Sequence, residues 1–136
     1  MKTPTPSDLG LGRLAGVARR TRRRAHAPFS GFKVGAALRG SGKVTTGVNV
    51  ESASYGLTIC AERVAVVKAV SEGLHKFDAI AIVTDAKRLT PPCGACRQLL
   101  WELCGDIWVH SANTHGRSET VRLSELLPRP FDRRNL

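Results

Sequence analysis

Aromatic residues make up only 5% of the chain, which removes most of the side chains a base-stacking platform would need. Long apolar runs are also missing: none approaches the roughly 18 residues of a membrane span. Met1-Lys2-Thr3-Pro4 opens without a continuous apolar stretch, so no secretory leader is expected and a cytoplasmic location is. Acidic residues are few, 11 against 21 basic ones, for a net charge of +10. Cysteines number four, Cys60, Cys93, Cys96 and Cys104. Without a secretory leader their expected use is metal binding or catalysis rather than disulfides.

What is present suffices for a folded domain. At 136 residues and 42% apolar, residues 1–136 read as a single domain able to bury a core. The 24% charged fraction argues against disorder. Positive charge is concentrated: in residues 1–26 seven basic residues (Lys2, Arg13, Arg19, Arg20, Arg22, Arg23, Arg24) face only Asp8, a net +6. Such an arm suits nucleic acid or another acidic surface, and equally a solvated helix face.

Residues 7–26 carry a helical pattern, with Ser7 or Asp8 as cap, Leu11, Leu14 and Ala18 recurring, and His26-Ala27-Pro28 as the stop. Phe32–Leu38 and Val44–Val50 read as strands of a hairpin turned by Gly40-Ser41-Gly42. Ile59–Ser71 is helical with Val64, Ala65 and Val67 near its apolar stripe, and Gly73 ends it. Ala79–Val83 is a buried strand, Cys93 to Leu103 a helix closed by Gly105, and Ile107–His110 and Thr120–Leu123 further strands. Ser124–Leu127 is a short capped turn. A hairpin followed by helix–strand alternation implies an α/β sandwich over a mixed sheet.

Two segments carry chemistry. Cys60-Ala61-Glu62 opens one helix, and Pro92-Cys93-Gly94-Ala95-Cys96 opens another. Cys93 and Cys96, three apart, share a helix face, and Cys60 adds a third thiolate. Three protein ligands leave one position of a tetrahedral zinc open, as in catalytic sites, and helix N-termini favour the thiolate form. Glu62 stands two residues from a ligand, where a carboxylate can move protons without binding the metal. Cys104 is eight residues past Cys96, about 12 Å along the helix, and reads as a small apolar residue instead. Zinc on three thiolates is net anionic, so a nearby cation would restore its acidity; Arg63 and Arg97 are the candidates.

Cys60-Ala61-Glu62-Arg63 together with Pro92–Gln98 resembles the short-chain, homotetrameric, zinc-dependent cytidine deaminases, whose zinc signature is a known deaminase pattern. The similarity runs through Pro28–Leu38, Gly47–Glu51 and Ala53–Ile59, and returns in Glu125–Pro128 and Phe131. It implies a three-layer α/β/α sandwich around a five-stranded mixed sheet and one zinc per chain on Cys60, Cys93 and Cys96. The implied reaction is hydrolytic deamination of cytidine and deoxycytidine in pyrimidine salvage. Water attacks C4 of the base, while Glu62 passes its proton to ring N3 and then assists loss of ammonia. Asn49 and Glu51 match residues that bind the ribose 3′-hydroxyl, Phe32 an aromatic packed on the base, and the Ala61 backbone a pyrimidine contact. Tyr55 and Phe131 fall in segments that reach a neighbouring subunit's site. Ser52 stands where relatives commonly carry asparagine, and the basic Phe131–Leu136 terminus stands where theirs is often acidic.

Two other readings compete. A blasticidin S-type aminonucleoside deaminase shares the zinc motif but is expected to differ around Asn49–Tyr55. A nucleic-acid-binding or editing zinc protein would use the basic arm, though the matched sugar contacts suit a free 3′-hydroxyl, so nucleic acid is not the expected substrate.

Overall fold

The hairpin is the simplest element to derive. In the structure, a computed structural model that describes residues 4–136, strand β1 (Gly35–Gly40) pairs antiparallel with β2 (Lys43–Val48), and Gly40 lies opposite Lys43. Ser41 and Gly42 form the two-residue loop with φ of 53° and 72°, the mirror-image turn that matches strand twist. Lys2, counted in the basic arm, lies outside the described residues.

Strand β3 (Phe77–Thr84) lies antiparallel to β1 on its other side, β4 (Trp108–Asn113) runs parallel to β3, and β5 (Ser118–Arg122) closes the order β2-β1-β3-β4-β5. Helix α1 (Leu11–Arg22) covers one face, and α2 (Ala61–Ser71) and α3 (Gly94–Cys104) the other, with a short α4 (Leu123–Leu126) beside α3. Alternation along the strands divides the core accordingly. Ala37, Ala79, Ala81 and Val83 meet Leu11, Leu14 and Ala18 of α1. Ala36, Leu38, Ile80, Ile82 and Val109 meet Ala65, Val66 and Leu100. This is the expected three-layer sandwich on a five-stranded mixed sheet.

Three local expectations are corrected. Helix α1 is 12 residues long, not the whole of 7–26. Gly10, at φ 66°, occupies its N-cap, and no side chain caps it. Asp8 is used one turn earlier: its carboxylate accepts the Thr5 N–H at 2.9 Å, and the Thr5 hydroxyl accepts the Asp8 N–H at 3.1 Å. The helix also ends before Pro28 acts, because the His26 N–H donates to Asn49 O at 3.0 Å and draws that segment against Val50. On α2 the buried stripe is Ala61, Ala65, Val66 and Ala69, while Val67 is 48% exposed. Small residues are required there because β2 lies so close. A Cβ on Gly47 would stand 2.4 Å from Ala61 O and 2.5 Å from Ala65 N.

The same close packing positions the functional end of the molecule. Strands β2 and β3 both run antiparallel to β1, and Gly35 pairs with Val48 and with Val83. Their C-terminal ends therefore share one edge of the sheet. Helix α2 begins there against Gly47, and the loop after β3 leads to the start of α3. Helix α2 is closed at its far end by Gly73, whose N–H donates to Val70 O while that of Leu74 donates to Ala69 O, a left-handed glycine stop.

Candidate active site

Cys60 is the N-cap of α2 and Cys93 the N-cap of α3, both in extended backbone, and Cys96 lies in the first turn of α3. The two helix starts thus face each other and bring three sulfurs within 4.8 Å of one another. Cys60 Sγ is 3.8 Å from Cys93 Sγ, and Cys93 Sγ is 3.5 Å from Cys96 Sγ. Ligands at the Zn–S distance of about 2.3 Å in a tetrahedron would stand about 3.8 Å apart. All three thiols are free, so donor set and spacing fit one zinc ion.

The electrostatics favour the thiolate form at Cys60. Hydrogen bonding from Cys96, aided by Arg63 and Cys93, brings the Cys60 thiol down to about 5, while Cys96, bonded to Cys60 and buried, is pushed up. Arg63 Nη2 lies 3.7 Å from Cys60 Sγ and donates to Thr58 O at 3.4 Å. Arg63 Nε is buried with no partner among the described residues. A guanidinium against anionic sulfurs offsets the net charge of a divalent ion on three thiolates. Arg97 does not share this position. Its Nε donates to Pro92 O at 2.7 Å and its Nη1 to Leu126 O at 2.9 Å, fastening the start of α3 to the end of α4. Cys104 is remote from the cluster, and burial pushes its thiol up to about 12, as befits an apolar filler.

Glu62 is 5% exposed, and burial raises its carboxyl to about 7. A buried acid is costly to keep, and the nearby Arg63 charge offsets the desolvation only in part. It lines a cavity of about 280 Å³ with Cys60, Cys93, Ala61, Phe32, Asn49 and Glu51, closed by Val34, Thr58, Ile82, Thr90 and Pro91. The predicted base-side and sugar-side residues therefore meet the thiolates in one place.

The segment that delivers them is not regular strand. Val50 and Ile59 exchange backbone hydrogen bonds at 2.9 and 3.0 Å, which sets residues 49–51 alongside Cys60. Asn49, 7% exposed, uses its side chain as a piece of ladder: Oδ1 accepts the Val34 N–H at 2.9 Å, and Nδ2 donates to Phe32 O at 2.7 Å. Glu51 is held by the turn at Phe29 and Ser30. Ser30 and Thr58 were both within the segments singled out by sequence but had no role there; their hydroxyl and carbonyl groups become visible only through these contacts. Tyr55 and Phe131 are not in the cavity: they are 80% and 59% exposed, Tyr55 beside an adjoining recess that shares Glu51 and Thr58.

The basic arm is split by the fold. Arg22 pairs with Asp85 at 3.0 Å and donates to Lys33 O at 3.0 Å, so it belongs to the scaffold under Phe32. Arg20, Arg23 and Arg24 line a separate 530 Å³ surface cavity with Val17 and Thr21. No acidic residue lines that cavity.

An α/β/α sandwich with three convergent cysteines and a buried carboxylate at one end of its sheet has the parts of a catalytic zinc site. Residues 12–111 match the family model described as the cytidine and deoxycytidylate deaminase zinc-binding region. A cytidine deaminase of Halalkalibacterium halodurans is 53% identical over 109 residues, spanning 79% of this chain and 83% of that protein. One from Sporosarcina psychrophila is 40% identical over 130 residues, spanning 94% and 96%. The crystal structure of cytidine deaminase from Burkholderia pseudomallei superposes with a TM-score of 0.85 at 44% identity, covering 88% of this chain and 98% of that one. A blasticidin-S deaminase of Bacillus cereus is more distant, 32% identical over 109 residues, covering 74% and 77%. The chain belongs to the cytidine and deoxycytidylate deaminase zinc-binding family.

Proposed function

We propose that this chain catalyses hydrolytic deamination of cytidine and deoxycytidine to uridine and deoxyuridine with release of ammonia, in cytoplasmic pyrimidine salvage, with residues 1–136 acting as one catalytic domain. The observation that carries the reading is the shared cavity: thiolates, a buried acid and an amide–carboxylate pair around a space of nucleoside-base size. The greater identity to cytidine deaminases than to the blasticidin enzyme favours the nucleoside over the antibiotic.

Cys60, Cys93 and Cys96 would hold zinc, which when bound supplies the Lewis acidity that makes water nucleophilic near neutral pH. Glu62 moves the protons. It takes one from the attacking water and delivers it to ring N3, then takes the second from the new C4 hydroxyl and passes it to the departing amine, so that ammonia leaves and the C4 carbonyl forms. Burial suits this work, since a carboxyl that readily holds or releases a proton is the best shuttle. Phe32 covers one face of the base, the Ala61 backbone orients its edge, and Asn49 and Glu51 take the sugar 3′-hydroxyl. Arg63 keeps the thiolates from quenching the metal's acidity.

The proposal includes a homotetramer whose subunits complete one another's sites. Tyr55, Leu57 and Phe131 stand exposed, and Val67 and Val70 lie on the outer side of α2. Such apolar surface is expected to be covered by another copy. No helix among the described residues is long and apolar enough to cross a membrane.

The test is an ultraviolet assay with cytidine, deoxycytidine, blasticidin S and a cytosine-containing oligonucleotide, with subunit mass measured by light scattering. Turnover of the two nucleosides by a tetramer is expected. Deamination confined to the oligonucleotide or to blasticidin would overturn the substrate assignment, and a fully active monomer would overturn the shared site.

The α1 arginine surface is separate from this chemistry. Replacing Arg20, Arg23 and Arg24 by Gln is expected to weaken any oligonucleotide binding and its salt dependence while cytidine turnover stays within about twofold. A turnover loss above about tenfold, roughly 1.4 kcal/mol of barrier, in an intact oligomer would place the arm in the active site. Arg22 is left out of this set because its contacts to Asp85 and Lys33 support the cavity wall.

A further inference from the structure

Three hydrogen bonds converge on the Glu51 carboxylate from a single turn. Oε1 accepts the backbone N–H of Phe29 at 3.0 Å and that of Ser30 at 3.1 Å, and Oε2 accepts the Ser30 hydroxyl. The Ser30 oxygen also accepts the Phe32 N–H at 3.0 Å, so its own proton is free to go to Glu51. Phe32 is fixed from its other end, where its carbonyl takes Asn49 Nδ2. Ser30 is thus the side chain that ties the aromatic wall of the cavity to its carboxylate.

The inventory of donors and acceptors then dictates what the pair can recognise. Oε1 of Glu51 carries two N–H groups and is filled, while Oε2 carries one hydroxyl and keeps one acceptor position. Asn49 spends one Nδ2 hydrogen on Phe32 O and keeps the other. One acceptor position on Glu51 Oε2, one on Asn49 Oδ1 and one Asn49 N–H remain, so the pair can both accept from and donate to a single hydroxyl group, which donates one hydrogen bond and accepts another. A carbonyl or an ether oxygen would satisfy only the amide.

We infer that Ser30 is a positioning residue that locks the Glu51 carboxylate to the Phe32 turn, so that Oε2 meets the sugar hydroxyl of the substrate. The inference rests on the nucleoside reading above, in which Asn49 and Glu51 face the 3′-hydroxyl. Ser30 is exposed, so its hydroxyl fills no core space and its removal leaves no cavity. Its contribution is the charge-assisted bond itself, the stronger kind.

The experiment compares cytidine with 3′-deoxycytidine on wild type, Ser30→Ala, Ser30→Thr and Glu51→Gln, with zinc content and oligomer mass checked for each. Ser30→Ala is expected to raise KM for cytidine about tenfold with kcat within about twofold, the pattern of lost binding shared by ground and transition states. On 3′-deoxycytidine the same variant should lose less than about twofold, because the hydroxyl that Glu51 would meet is gone. Ser30→Thr retains the donor and should restore cytidine KM. Equal losses on both substrates while Glu51→Gln still distinguishes them, or a Thr variant no better than Ala, would overturn the role of Ser30. Glu51→Gln losing equally on both substrates would instead overturn the sugar assignment, and the role of Ser30 with it.

Discussion

Glu62→Gln is expected to abolish turnover of cytidine while leaving the zinc and the fold in place. Acid–base assistance alone is worth roughly 10²–10⁴ in rate. The loss should reach or exceed the top of that range, because in the proposed mechanism the same group also orients the attacking water. The amide has the carboxyl's shape and fits the same buried position, but it cannot carry a proton. Stability should not fall. The carboxyl is 5% exposed and shifted up to about 7 by burial, so its charged form is disfavoured where it sits, and a neutral isostere removes that cost. The measurements are kcat for cytidine, zinc per chain and the melting temperature. Near-normal turnover with zinc retained would remove Glu62 from the mechanism.

The buried acid was legible from Cys60-Ala61-Glu62 because motif spacing on a helix start fixes direction. A residue two past the N-cap of α2 must lie in its first turn, next to whatever the N-cap sulfur touches. The starts of α2 and α3 and their glycine ends were legible for the same local reason. Features set by tertiary contact were not. Strand β1 begins at Gly35 rather than Phe32 because the Asn49 side chain takes over the hydrogen bonds of Phe32 and Val34, and no periodicity announces that substitution. The outward Val67 and Val70 invert the usual rule that valine faces the core. Gly47 explains this, since the α2 face against β2 has room only for alanines at its start. Arg97, a second candidate after Arg63 for the cation at the sulfurs, is engaged elsewhere. Its two carbonyl partners, Pro92 before α3 and Leu126 at the end of α4, lie far apart in sequence, and only the fold brings them together.

Cys96→Ser is the second change with a large expected effect: zinc content should fall to near none and turnover should fall with it. Cys96 is fully buried at the first turn of α3, 3.5 Å from Cys93 Sγ, so no other donor can replace its sulfur without moving the helix. A serine hydroxyl is far less acidic than a thiol and does not supply the anionic ligand that zinc draws from cysteine. Losing the ion removes the activation of water that makes hydrolysis possible near neutral pH, a change of more than about 100-fold in rate. It also removes binding energy that favours the folded state. The start of α3 should loosen from that of α2, and the melting temperature should drop with the metal. Cys104→Ser is the matched control. Its thiol is partly buried at the far end of the same helix, pushed up to about 12, about 12 Å from Cys96 along the helix rise. That variant should lose some packing stability but keep its zinc and its turnover. Chelation of the wild type should reproduce the Cys96→Ser result, and added zinc should reverse it in the wild type alone. Full zinc in Cys96→Ser, or loss of zinc in Cys104→Ser, would mean that the ion is held by a different set of sulfurs.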